Sequence, residues 1–287
     1  MVQVKRKHAY APKDIFDFCT YEGKNISLPY RMYIPKNYDC GEMYPLVVFL
    51  HGAGERGDDN RIQVERPGQM DLIFADYESP IYDSIVIAPQ CPAGHRWVNT
   101  PWEDGNYSAD DIPESDELKA VTKLIDECCR EYNVDRDRIY IMGISMGGFG
   151  TWDMIMRHGE RFACAMPVCG GGDPSYANKL KNIPIRTFHG SRDEAVPVAS
   201  TREMFAAIAK AGGKNISYTE YDDRGHCVWD EVFPDTDNFR WMFEQNLAER
   251  RKKYEKVKKA KRFAIASGAV GALVSIAAFV LSKKGKK

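Results

Sequence analysis

Apolar residues gather along this chain in short, nearly unbroken runs rather than in strict alternation. Residues 46–50, 85–88, 139–143, 163–169, 185–189 and 216–221 have strand length, and continuous apolar runs of that length suit strands covered on both faces. Between them lie stretches with helical spacing: 115–132, 148–158, 200–211 and 235–250. Ser115 followed by Asp116 and Glu117 predicts a capped helix start with an acidic first turn. Gly212-Gly213 predicts the end of the third helix. Strands alternating with helices of this length predict an α/β chain on a mostly parallel, doubly wound sheet. Ahead of it, residues 16–20 and 28–35, joined across Glu22-Gly23-Lys24-Asn25, predict an N-terminal antiparallel hairpin that extends one sheet edge.

One apolar run is of another kind. Residues 263–281 carry no charge over nineteen positions and are apolar all round, so a helix here has no polar face to offer water. That length nearly matches a hydrocarbon core of ~30 Å and predicts one C-terminal transmembrane helix; a buried or self-associating core helix is the alternative. Charge sharpens the division. The net charge is −1, yet residues 249–287 hold 13 basic against 2 acidic side chains, or +11, which leaves −12 on residues 1–248. The chain therefore divides into a catalytic body (1–248), a basic juxtamembrane linker (249–262), the apolar span (263–281) and a short basic tail (282–287). An acidic body repels phosphates, which argues against a nucleic-acid partner. Nine basic residues before the span place the body on the cytoplasmic side and suit anionic headgroups. Residues 1–7 are basic but no apolar run follows, so no secretory signal is expected. The eight cysteines are scattered without a C-x-x-C pair, which disfavours zinc-ribbon and thioredoxin chemistry and predicts small buried side chains.

The candidate chemistry sits where strands end. Gly143-Ile144-Ser145-Met146-Gly147-Gly148 follows a strand and opens a helix, the setting in which G-x-S-x-G holds a nucleophile on a tight turn. Asp193 follows the strand at 185–189, and His226 follows the strand at 216–221. Together these residues offer a nucleophile, a base and an orienting carboxylate. Asp173, Asp222 and Asp223 compete with Asp193 for the last role. An oxyanion needs two donors. The Met146 N–H is one, and the loop His51-Gly52-Ala53-Gly54 offers the other, expected at Ala53 with Gly52 or Gly54 as alternatives. His51 is expected to anchor that loop.

Taken with these, several further strings resemble one family. They are Tyr30-Arg31-Met32-Tyr33-Ile34-Pro35, His51 through Asn60 (HGAGERGDDN), Ala88-Pro89-Gln90-Cys91-Pro92, Gly143 through Asp153, Cys169-Gly170-Gly171-Gly172-Asp173 and Gly225-His226-Cys227-Val228-Trp229. Over residues 12–245 the chain resembles the predicted-peptidase and esterase branch of the α/β-hydrolases, near feruloyl esterases and polyhydroxybutyrate-depolymerase-like enzymes. The resemblance implies the α/β-hydrolase fold, the triad Ser145, Asp193 and His226, and a carboxylic ester or amide substrate. A membrane tail departs from many such relatives.

Residues 89–113 form a long segment of little regular pattern, with His95, Trp97, Trp102 and Tyr107. Long loops of this kind are often functional. Trp97, Trp102 and, after His226, Trp229 are candidate pocket residues, with packing of the loop as the alternative. Glu55 and Arg56 either hold the oxyanion loop by an ion pair or touch a polar substrate group. The expectation is a membrane-tethered serine esterase for small or medium acyl or aryl esters. A serine peptidase for short peptides and an inactive hydrolase-like binding protein are the rivals. No metal or organic cofactor is implied, because the mechanism uses none and no ligand spacing is present.

Overall fold

The computed structural model describes residues 11–24 and 26–266. Eight strands build one sheet: β1 Asp17–Glu22, β2 Ser27–Tyr33, β3 Tyr44–Leu50, β4 Ile85–Pro89, β5 Val134–Ile144, β6 Cys164–Val168, β7 Ile185–Gly190 and β8 Ile216–Tyr221. Their order across the sheet is β1-β2-β4-β3-β5-β6-β7-β8. The β1–β2 hairpin is antiparallel and joins β4 antiparallel at one edge, while β4, β3, β5, β6, β7 and β8 run parallel. Every residue of β3, β4 and β6 is buried, so their continuous apolar sequences reflect cover on both faces. The α/β-hydrolase fold expected from the sequence is the one observed, hairpin included.

The helices carry their sequence signals into geometry. Asp116–Glu131 starts at Ser115, whose Oγ accepts from the Leu118 N–H at 3.1 Å and donates to the Trp97 carbonyl at 2.6 Å. Its buried Leu118, Val121, Leu124, Ile125 and Cys128 recur at three- and four-residue spacing, the stripe that packs into the core. Ala199–Lys210 ends at Gly212, whose φ of +88° is the left-handed conformation a glycine cap supplies.

Two expectations are corrected. Residues 235–250 are not one helix: Thr236–Phe243 stops, and a second helix covers Leu247–Ala266. The Gln245 carbonyl accepts from the Tyr140 hydroxyl at 3.0 Å, a partner from β5 that takes the place of a helix-ladder bond at the break. The cysteines are also not uniformly buried, since Cys40 and Cys227 are exposed and Cys19 and Cys129 lie between.

The chain forms two compact units, divided after Asn246. In the second, the basic stretch 249–262 is helical, within Leu247–Ala266. Among the described residues, no helix is long and apolar enough to cross a membrane. From residue 267 onward, the expected span at 263–281 and the tail at 282–287 lie outside the described residues.

Candidate active site

The parallel strands deliver their following loops to one edge of the sheet, which is where this fold gathers its chemistry. Ser145 stands at the turn between β5 and the helix Met146–His158, with φ +54° and ψ −120°. A non-glycine residue in such a conformation costs about 1–3 kcal/mol. Its surroundings hold it there. The Ser145 N–H donates to the Val168 carbonyl at 2.9 Å, and its carbonyl accepts from Phe149 at 3.1 Å. The flanking glycine is a steric requirement: a Cβ on Gly147 would lie 1.9 Å from the Leu50 carbonyl oxygen. The elbow therefore presses against the end of β3.

His226, on the loop after β8, places Nε2 2.7 Å from Ser145 Oγ. Its Nδ1 lies 2.6 Å from Asp193 Oδ2. Asp193, on the loop after β7, is enclosed by four donors. Oδ1 accepts from the Ala195 and Val196 N–H groups, both at 2.9 Å, and Oδ2 also faces His189 Nε2 at 3.0 Å. Burial alone would raise this carboxyl's pKa, but the hydrogen bonds from His189, His226 and Val196 outweigh it and hold Asp193 well below the usual carboxylate range. It remains an anion. Two of the competing carboxylates are engaged elsewhere: Asp173 accepts from Ala109 and Ser175, and Asp223 pairs with Arg192. The three residues expected to act together are thus joined in one hydrogen-bonded chain, while the side chain of Asp193 is wholly buried and that of His226 partly open.

Comparison with known proteins bears on what such a chain belongs to. A sequence model of the phospholipase/carboxylesterase family matches residues 41–240. The chain belongs to this family of α/β-hydrolases. A bifunctional acetylxylan esterase/xylanase of Neocallimastix patriciarum is 32% identical over 185 residues, covering 64% of this chain and 24% of that protein. A solved thermostable esterase is 37% identical, with a TM-score of 0.73, over 82% of this chain and 64% of its own. A ferulic acid esterase at 18% identity shares the fold, with a TM-score of 0.58 over 79% of this chain and 98% of that one. The chain therefore spans about a quarter of the curated relative's length.

In this carboxylesterase-family chain, the loop after β3 lies against the elbow. A Cβ on Gly52 would meet Ser145 Cβ at 3.6 Å and Glu55 Oε2 at 3.1 Å. Among the described residues, neither the Ala53 N–H nor the Met146 N–H has an acceptor. Two charged side chains fix the loop. Arg56 Nε donates to the Ala53 carbonyl at 2.8 Å, and buried Glu55 pairs with Arg66 at 2.8 Å. The ion pair expected here exists, but its cation is Arg66, which no sequence signal picked out. His51 is the anchor expected of it: buried, its Nε2 accepts from the Cys91 N–H at 2.9 Å, and its Nδ1 sits 2.6 Å from the Gly52 carbonyl. Burial lowers its pKa to about 4, so it stays neutral near pH 7.

The three tryptophans divide. Trp97 is fully buried, donates from Nε1 to the His51 carbonyl at 3.0 Å and packs on the His51 ring. It supports the loop from beneath and cannot line an open pocket. Trp102 is half-buried between two guanidinium groups, with Arg96 at 4.8 Å and Arg56 at 5.6 Å from its ring. Trp229 stands edge-on to the His226 ring at 5.3 Å and is partly exposed. Tyr107 and His95 pack their segment down, through Asp153 and Glu117, each at 2.6 Å.

Two supporting residues escaped the sequence reading. His189 looks like the last residue of a buried strand, and only the fold turns it toward Asp193. Cys169, at φ +49° after β6, donates its thiol to the His226 carbonyl at 3.1 Å and so fixes the histidine loop. Ligand atoms of Cys169, Asp193 and His226 lie within 4.8 Å of one another, a spacing a metal ion could occupy. All three are already committed to hydrogen bonds with one another.

Proposed function

We propose that the chain is a serine carboxylesterase that cleaves small or medium acyl or aryl esters through an acyl-enzyme. The observation that carries this reading is the unbroken chain Ser145 Oγ, His226 Nε2, His226 Nδ1, Asp193 Oδ2 at the C-terminal ends of the parallel strands. In this reading His226 takes the Ser145 proton as Oγ attacks the ester carbonyl, and Asp193 stabilises the imidazolium. The Ala53 and Met146 N–H groups receive the developing oxyanion. His226 then returns the proton to the departing alcohol, and a water activated by the same residue hydrolyses the acyl group. Trp102 and Trp229 flank the approach. Membership of the carboxylesterase family supports ester over amide cleavage, and the acetylxylan esterase relative supports a short acyl group.

The expected result with paired substrates is rapid turnover of 4-nitrophenyl acetate and butyrate. Blocked dipeptide 4-nitroanilides should react at least ~100-fold more slowly, judged by kcat/KM. Preference for the anilides would move the assignment to a peptidase.

The same reading tethers the catalytic unit to the cytoplasmic face of a membrane. It rests on the charge-free run at 263–281 and the basic helix that leads into it. The full chain is expected in the membrane pellet and a chain ended after Ala248 in the supernatant. A truncated chain that still pellets would remove the tether.

A further inference from the structure

Arg66 holds the oxyanion loop through Glu55 but takes no part in the proposed proton transfers. It follows a single helical turn, Ile62–Glu65, and precedes Pro67, so its backbone is set. Its guanidinium lies across Gly54 of the oxyanion loop: a Cβ there would overlap the Arg66 Nη1 atom. One nitrogen is held by Glu55 at 2.8 Å, and the Glu55 side chain is 3% exposed. Arg66 itself is 49% exposed. A buried carboxylate thus grips one corner of a guanidinium and leaves the rest open to solvent.

The loop across which Arg66 lies is the one that borders the nucleophile. Glu55 and Ser145 both touch the surface of Gly52, where a Cβ would stand 3.1 Å from Glu55 Oε2 and 3.6 Å from Ser145 Cβ. Arg224 is spent on Asp230, with both oxygens at 2.6 Å, and on Glu231. Arg56 lies on the same loop as Glu55, turned inward to the Ala53 carbonyl. Arg66 therefore presents a half-exposed guanidinium on the oxyanion loop, held at one nitrogen by Glu55.

A guanidinium is planar and offers five donors in a fork that fits a carboxylate. Fixing it in advance removes much of the entropy a free arginine would lose on binding. We propose that Arg66 is a specificity residue that receives a carboxylate borne by the substrate, so that the enzyme selects acidic esters over neutral esters of the same shape. This rests on the serine-esterase reading, and it adds the chemical class of the ester.

The test uses the full chain and two matched pairs: 4-acetoxybenzoate against 4-acetoxybenzamide, and monomethyl adipate against dimethyl adipate. The first pair carries the carboxylate on the leaving group and the second on the acyl group. In at least one pair the acidic member should have the higher kcat/KM, by roughly tenfold, the value of one charge-assisted hydrogen bond. That ratio should shrink as salt rises. Arg66→Gln should bring it to about one, and Arg66→Lys should keep part of it. The ratio is the readout, because loosening of the oxyanion loop by an unpaired Glu55 slows both members alike. A wild-type ratio near one in both pairs, or an Arg66→Gln ratio equal to wild type, overturns the proposal while leaving the esterase reading intact. Failure to cleave any of the four esters, or 4-nitrophenyl acetate, overturns the esterase reading instead.

Discussion

Ser145→Ala should lower kcat for 4-nitrophenyl acetate by at least ~10⁴-fold while leaving the fold in place. The size of the effect follows from the route. With no Oγ, the acyl-enzyme cannot form, and His226 can only direct water at the ester. What remains is the rate that oxyanion donors and binding supply, since these are independent of the serine hydroxyl. The fold should hold because the elbow is built from backbone contacts. The Ser145 N–H to Val168 and the carbonyl to Phe149 do not involve the side chain, and alanine bears the same positive φ at a similar cost. Circular dichroism and the melting temperature should therefore match wild type, and a rate loss accompanied by unfolding would not count in favour of the assignment.

Asp193→Asn should be nearly as damaging, with kcat reduced by ~10³–10⁴-fold. The amide group is isosteric, so packing is kept, but its chemistry is wrong at both ends. One oxygen now accepts from Ala195 and Val196, which leaves the NH₂ group facing His226 Nδ1 and His189 Nε2. A donor set against two ring nitrogens favours the His226 tautomer with its proton on Nε2, the atom that must accept from Ser145. The depressed pKa of Asp193 gives a second expectation. A carboxyl whose folded pKa lies below its unfolded value of about 3.9 contributes stability above that value and loses it only as pH falls through the folded pKa. Wild type should therefore lose more stability than Asp193→Asn on going from neutral pH to below pH 3, as measured by urea midpoints. A variant that retained more than a tenth of wild-type kcat would remove Asp193 from the triad.

Most of this architecture was legible in the sequence because it is local. Strands covered on both faces must be apolar throughout, and β3, β4 and β6 are. The elbow is legible because glycine is compulsory where Gly147 meets the end of β3. Ser115 and Gly212 announce helix ends through their own side-chain and backbone properties. Misread features depend on partners distant in sequence. Trp97 has the look of a pocket aromatic in an irregular segment, and only its bond to the His51 carbonyl, 46 residues away, marks it as a support. The helix break before Leu247 depends on Tyr140, from a strand more than a hundred residues earlier. Arg66 and His189 carry no local signature at all. Each is made relevant by the loop or carboxylate that the fold brings to it.

The net charge of −1 conceals two parts of opposite charge. The first compact unit carries the acidic body and the hydrogen-bonded triad, and the second begins with the basic helix Leu247–Ala266.

The central claim is that Ser145 is a nucleophile activated by His226, and covalent labelling reaches it most directly. Treated with a fluorophosphonate and digested, the wild-type chain should carry one label per molecule, on the peptide containing Ser145, and Ser145→Ala should carry none. A wild-type chain that stays unlabelled, or that is labelled at another residue, would contradict the account.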